Sequence, residues 1–357
     1  MSNPVKGKIN VFKIAATYIG TIVGAGFASG QEVFQFFSVY GFGGIWGIIL
    51  STILFFFFGY MILILGQKLQ AESYVKVVRF SNGKILGTVI DIIITVFLFG
   101  ALAAMIAGAG AIFSEQFNLS PLIGTALMAS VTLLTVLTGI TGVINAISYV
   151  VPILLLSVLF ITIYSFVTNP LTSEELRLAV EFNGSSPNWF ISAIVYASYN
   201  LVIAIAILAP LGAQTTERKT LFWGALLGGL GLGIGVVAIN FSILTNIVDA
   251  SVVEVPMILV AEQISPIIQL AFAVVLFAEV YTTAVGNLFG FVSRLDFINQ
   301  GYKKWIVIST TVLAFVVSQL GFSTMVEYLY PAVGYGGMLL LVGLLYSWIF
   351  KRDQFRN

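Results

Sequence analysis

The sequence predicts an all-α polytopic membrane protein with one membrane domain, residues 1–357. Three observations carry that prediction: 59% of the residues are hydrophobic, only 9% are charged, and apolar runs recur along the whole chain. Mean hydropathy is +1.04, leaving too few polar groups to clothe a water-soluble globule of this length. The runs reach about 18 residues or more, so the spans are helices and not the ~10-residue alternating strands of a barrel.

Charged or turn-forming breaks divide the apolar runs into ten candidate helices. The first, 9–39, follows Lys8 and ends before the glycines of "GFGG"; the second, 42–67, ends at Lys68. The third, 85–113, lies between Lys84 and Glu115. The fourth, 121–139, starts at Pro121, and the fifth, 142–167, runs to the polar stretch 168–187. The sixth, 188–211, follows "SSPN" and ends around Pro210. The seventh, 219–244, follows "TERK". The eighth, 266–292, lies between Pro266 and Arg294, the ninth, 304–320, follows "YKK", and the tenth, 325–350, stops before "KRD".

Positive charge orients these spans, because Lys and Arg in short loops stay on the cytoplasmic side. With the N-terminus inside, the Lys and Arg at 6, 8, 13, 68, 76, 79, 84, 218, 219, 294, 303, 304, 351, 352 and 356 are all cytoplasmic, and Arg177 alone falls outside. The outer loops carry carboxylates instead, such as Glu115, Glu174, Asp249 and Glu262. Both termini are therefore expected in the cytoplasm of a cell bounded by this plasma membrane. The polar start "MSNPVKGKIN" leads into a segment too long for a signal h-region, so that segment is read as retained.

The stretch 168–187 divides the chain into two sets of five, 9–167 and 188–350. An odd number forces the second set to be inverted, making the first and sixth helices the equivalent pair. The first holds "TIVGAGFASGQE". Gly24 lies eleven residues beyond Lys13, or roughly 16 Å into a ~30 Å core, near the midplane. Glycines weaken the helix there, and a broken helix frees peptide groups that hydrocarbon cannot satisfy. A half-helix N-terminus suits a carboxylate and the preceding C-terminus suits a cation. Close helix packing through Gly20-x-x-x-Gly24 and Gly26-x-x-x-Gly30 is the competing explanation. The polar run Ser198, Tyr199, Asn200 in the sixth helix favours a matched second break.

Glu279 in "LFAEVYTTAVGN" is thirteen residues from Pro266 and fifteen from Arg294, also near the midplane. It is expected to face the bundle interior, neutral or paired. Thr282 and Thr283 share its helix face, so the three oxygens suit Na+ or a carried proton; back-bonding to the helix is the alternative for the threonines. Gln31, Glu32, Asp91 and Glu327 are gating candidates. For Glu32 and Glu327, near outer helix ends, simple solvation is the alternative. Tyr18, Phe27, Tyr196 and Tyr199 flank the two proposed breaks, with Asn200, as a candidate solute pocket. No Lys or Arg lies deep in a span, which favours a zwitterion or cation over an anion.

Net charge of +1 without a long basic run excludes nucleic acid. There is no cysteine and no histidine, which removes thiol chemistry and the commonest base and metal ligand. An enzyme is not expected, and no cofactor beyond a coupling ion.

At these residues the chain resembles the amino acid-polyamine-organocation (APC) superfamily, whose members share the LeuT fold of two inverted five-helix repeats. "IVGAGFASG" resembles its first-helix G-[SA]-G signature, and "GAGFASGQE" resembles the YkvI-type membrane proteins. The resemblance implies ten transmembrane helices in a 5+5 inverted repeat with the first and sixth broken. It implies a substrate carboxylate at the backbone N–H groups of Ala25, Gly26 and Phe27. It also implies Na+ held by the carbonyls of Gly20 and Val23 with the hydroxyls of Thr282 and Thr283. Two departures stand out: Phe27 replaces an Asn of the neurotransmitter and sodium symporters, and Glu279 lies outside the pattern. The function implied is a secondary active transporter for a small zwitterionic or cationic solute, an amino acid foremost, coupled to Na+ or H+. A non-transporting amino-acid sensor with the same fold is the alternative. The expected partners are that solute and the lipid bilayer.

Overall fold

A computed structural model describes residues 10–138, 141–184, 186–294 and 302–350. Every element there is helical. The chain begins with α1 (Val11–Ile22), α2 (Ala25–Ser29) and α3 (Gln31–Phe36), then a 3-10 turn at Ser38–Tyr40. It continues through α4 (Phe42–Lys68), α5 (Tyr74–Phe117), α6 (Pro121–Thr138), α7 (Thr141–Thr168) and the short α8 (Ser173–Ala179). There follow α9 (Trp189–Ala213), α10 (Arg218–Leu244), α11 (Ile247–Ala250), α12 (Pro256–Glu262), α13 (Pro266–Ser293), α14 (Lys303–Ser318) and α15 (Phe322–Phe350). Among the described residues six of these are long and apolar enough to cross a membrane: α4, α5, α9, α10, α13 and α15. Many large apolar side chains, such as Ile53, Leu156, Val316 and Val342, are exposed on the helices, as expected of surfaces that face lipid.

In lipid, helices gain nothing by hiding apolar surface from water, so they hold together by close packing. The closest approach joins α4 to α9, which run parallel. A methyl at Gly66 would lie 2.1 Å from the Ala209 carbonyl oxygen, and one at Gly212 the same 2.1 Å from that of Leu63. The Ser51 hydroxyl adds a bond to the Ala193 carbonyl at 3.1 Å. Beside this pair, α10 receives the side chains of α1 and α2 in glycine notches: Ile14 at Gly224, Tyr18 at Gly228 and the Phe27 ring at Gly235.

One end of the bundle is tied down by loop hydrogen bonds. Glu115, at the end of α5, accepts from the N–H groups of Glu254 and Val255, and Glu254 in turn accepts from the Phe322 N–H at the start of α15 (2.8 Å). Tyr40 donates to the Ser186 carbonyl at 2.6 Å and accepts from the Ser186 N–H at 3.0 Å.

Two expectations change. The third helix starts not at 85 but at Tyr74, because Ser73 caps it and the chain continues through Gly83, whose φ of 72° lets two helical stretches join at an angle. The sixth helix is not broken: α9 is continuous from Trp189 to Ala213. Ser198 and Asn200 bond without unwinding it: Ser198 donates to the Gly334 carbonyl on α15 (2.8 Å) and Asn200 back-bonds to the Tyr196 carbonyl (3.0 Å). Pro210 sits in its last turn.

Gly212→Ala should force α4 and α9 apart, costing about 1–3 kcal/mol as overpacked interiors do. The expected outcome is a lower thermal unfolding midpoint in detergent, whereas Gly286→Ala, where a methyl meets nothing within 4 Å, should leave it unchanged.

Candidate functional site

The site forms where the first span stops and restarts. α1 ends at Ile22; Val23 (φ −67°, ψ 109°) and Gly24 (φ −132°, ψ −173°) are extended; α2 begins at Ala25. This leaves the last carbonyls of α1 and the first N–H groups of α2 without helical partners, in the middle of the protein. At Gly30 the backbone turns again, with φ 84°, so that α3 folds back over α2.

A cavity of about 1450 Å³ adjoins this junction. Its mouth is walled by Phe12, Glu72, Tyr74 and Arg294, and its blind end by Gly26, Glu32, Tyr199 and Tyr330. Beyond the blind end the way is filled by aromatic rings. Phe36 packs on Tyr196 and Tyr199 with centroids 5.5 and 5.6 Å apart, and Phe37 meets Tyr196 edge-on at 4.7 Å. Phe36 and Phe37 are wholly buried. The cavity is therefore open on one side of the bundle and plugged on the other.

Glu32 is 6% exposed, against the expectation that it might reach outer solvent. The turn at Gly30 is the reason, carrying its carboxylate back over α2. Oε2 accepts a hydrogen bond from the Tyr199 hydroxyl. Oε1 lies over Gly26, where an added Cβ would come within 1.9 Å of it. Only glycine leaves room there.

Glu279 is 2% exposed and also lines the cavity. Its Oε1 accepts from the Thr283 hydroxyl at 3.4 Å, and its Oε2 has no hydrogen-bond partner among the described residues. Thr282 back-bonds to the Glu279 carbonyl at 3.0 Å. Thr283 faces the junction: a Cβ on Gly24 would lie 3.8 Å from its hydroxyl oxygen. The wall here thus offers a carboxylate oxygen, hydroxyls and the end of α1, a set of hard oxygen donors for a cation.

At the mouth Arg294 donates to Asp91 at 2.5 Å and to Thr95 at 3.2 Å. It also donates to the Tyr74 hydroxyl and lies 5.0 Å from that ring's centroid. This cluster ties the first turn of α5 to the end of α13, across Gly83.

Of the residues singled out in the sequence, Gly20, Val23, Gly24, Ala25 and Gly26 line the cavity, as do Glu32, Tyr199 and Asn200 and the trio Glu279, Thr282 and Thr283. Others do not. The Phe27 ring fills the Gly235 notch; Tyr196 belongs to the plug, its hydroxyl unpartnered; Tyr18 donates to the Phe55 carbonyl at 2.8 Å. Gln31 is buried away from the cavity wall, and Asp91 acts on the mouth through Arg294. Glu327 is exposed and is not on the cavity wall. Phe97 and Tyr330, which pack beside Tyr199, are wall residues not anticipated, and nothing in the sequence marks them out.

No protein-family model matches the chain. Its sequence is 30% identical over 340 residues to the uncharacterized membrane protein YkvI of Bacillus subtilis (strain 168), covering 95% of this chain and 96% of that one. The chain belongs to the YkvI family of membrane proteins. Among solved structures, this YkvI-family chain is similar to MhsT in complex with L-phenylalanine, with a TM-score of 0.63 and 18% identity over 96% of this chain and 90% of MhsT. It is similar too to a Na+-coupled sialic acid symporter in a substrate-bound outward-open state, with a TM-score of 0.59, 14% identity, and 96% and 80% of the two chains covered. Both are LeuT-fold transporters, and the YkvI-family chain shares their fold.

Since the chain has no native cysteine, single cysteines report the cavity directly. Ala16→Cys and Ala206→Cys, on its wall, should react with a water-soluble maleimide in detergent, while Ala197→Cys, wholly buried, should not. Equal labelling of all three, read by mass spectrometry, would contradict the cavity.

Proposed function

We propose that this protein is a secondary active transporter, moving a small zwitterionic or cationic solute, an amino acid foremost, by alternating access coupled to Na+ or H+. The cavity is the observation that carries this reading: it reaches the interruption at Val23 and Gly24 from one side and is stopped by aromatic rings on the other. That is the form of a carrier caught with one gate open. The L-phenylalanine held by MhsT and the Na+ coupling of the sialic acid symporter support the same reading on the same fold.

Ten spans in two inverted sets, 9–167 and 188–350, complete it, in a plasma membrane with both termini in the cytoplasm. The mouth then faces the cytoplasm beside the loops rich in Lys and Arg. Gly24, Ala25 and Gly26 with Tyr199 and Asn200 would hold the solute. The coupling ion would be held by Glu279 and Thr283 with the carbonyls of Gly20 and Val23; Thr282 keeps a lone pair to offer despite its back-bond. The orphaned, buried Glu279 Oε2 fits either a bound Na+ or a carried proton. Bound there, the ion would supply the driving force. Arg294, Tyr74 and Asp91 would form the inner gate, while α3, bearing Gln31 and Glu32, would move with the outer one.

Counterflow of amino acids in proteoliposomes tests transport. A coupled carrier should accumulate labelled solute above protein-free vesicles, and Glu279→Gln should abolish stimulation by a Na+ or proton gradient while leaving exchange intact. In thermal unfolding, Na+ at 100 times its Kd should add about 2.7 kcal/mol of stability to the wild type, less to Thr283→Ala. Indifference of both uptake and unfolding to Na+ and pH would remove the coupling.

A further inference from the structure

Resting on the transporter reading above, we infer that Glu32 is the receptor for a protonated amine on the solute, and that the protein selects monocationic amines over zwitterionic amino acids. The resemblance to other carriers implies a solute carboxylate at the start of α2. In this structure the chain's own carboxylate already lies over that point, with Glu32 Oε1 against Gly26. A second carboxylate there would face Glu32 at close range, where like charges repel.

The surroundings favour the opposite charge. Phe97, Tyr199 and Tyr330 frame the blind end, with ring centroids 5.2 to 6.2 Å apart, an aromatic surround of the kind that suits an ammonium group. The Tyr199 hydroxyl takes Glu32 Oε2 and so aims the carboxylate. Glu279 adds a second wall carboxylate whose Oε2 is buried and unpartnered. Among the described residues Arg294 is the only Lys or Arg on the wall, and it stands at the mouth bonded to Asp91. The deep cavity therefore carries acid without base. An ammonium donates to a carboxylate and lies against ring faces; a zwitterion would bring a carboxylate for which no deep cation is provided.

Two matched triplets separate the cases: 2-phenylethylamine, L-phenylalanine and 2-phenylethanol, and isopentylamine, L-leucine and 3-methylbutanol. Binding to detergent-solubilised protein is followed by thermal shift and titration, and exchange by counterflow in proteoliposomes. The wild type should bind an amine at least about tenfold more tightly than its zwitterionic and neutral counterparts, and Glu32→Gln should weaken the amine about ten- to a hundredfold. Tyr199→Phe, which keeps the ring and frees the carboxylate, should weaken it less. Should Glu32→Gln not fold, the wild-type ranking of amine over alcohol still decides. The inference is overturned if no amine binds the wild type, or if the amino acids bind as well as the amines. Amino acid exchange that survives Glu32→Gln would sink it while sustaining the transporter reading. Amines that bind but do not exchange would leave the amine receptor standing and remove transport.

Discussion

A peptide group inside a bilayer must find a partner, because hydrocarbon offers none. Most of this protein satisfies that demand with unbroken helices. At Val23 and Gly24 it does not, and the surrounding architecture follows from the exception. The interrupted backbone is packed between α9, α10 and α13 and borders the cavity. A glycine at 26 leaves room for the Glu32 carboxylate and one at 30 admits the left-handed turn, whereas Gly24 is simply extended, and a methyl there would be in ordinary contact with Thr283. Two of the three glycines thus answer separate geometric needs, and close packing between helices is supplied elsewhere, by Gly66, Gly212 and the notches of α10.

Those notches matter to the site because they decide where the aromatic rings go. Phe27 and Tyr18 are drawn into α10 and are lost to the cavity, while Tyr199 faces it. The result is an asymmetric junction. One wall is backbone and small residues; the facing wall carries Glu279 and its threonines; the blind end carries Glu32 among rings. Electrostatically it is an acidic blind pocket behind a mouth where the Arg294 charge is already met by Asp91.

Much of this was legible in the sequence, for identifiable reasons. Apolar run length is a property of the chain alone, so the long helices could be read off with most of their ends within a few residues; the start of α5 could not, because its first turns carry Lys76, Arg79 and Lys84. The first interruption was legible because glycine spacing and a following Gln31–Glu32 pair are local signals. The continuity of α9 was not, since whether Ser198 and Asn200 unwind a helix depends on the carbonyls of Gly334 and Tyr196 that receive them. The depth of Glu32 was hidden by its dependence on one backbone angle at Gly30. Phe97 and Tyr330 carry no mark that separates them from the other Phe and Tyr residues of a chain with 30 Phe and 14 Tyr. Glu279 was legible, because a carboxylate far from either helix end has few places to be.

The six-residue α3 holds Glu32 at its start and Phe36 at its end. It hangs between Gly30 and the bend at Phe37, too short to flex within itself. The group that meets the cavity and a ring of the plug are consequently opposite ends of one short helix. Tyr199 closes the loop, donating to the carboxylate and laying its ring 5.6 Å from that of Phe36, so carboxylate and plug are coupled twice, by backbone and by a side chain.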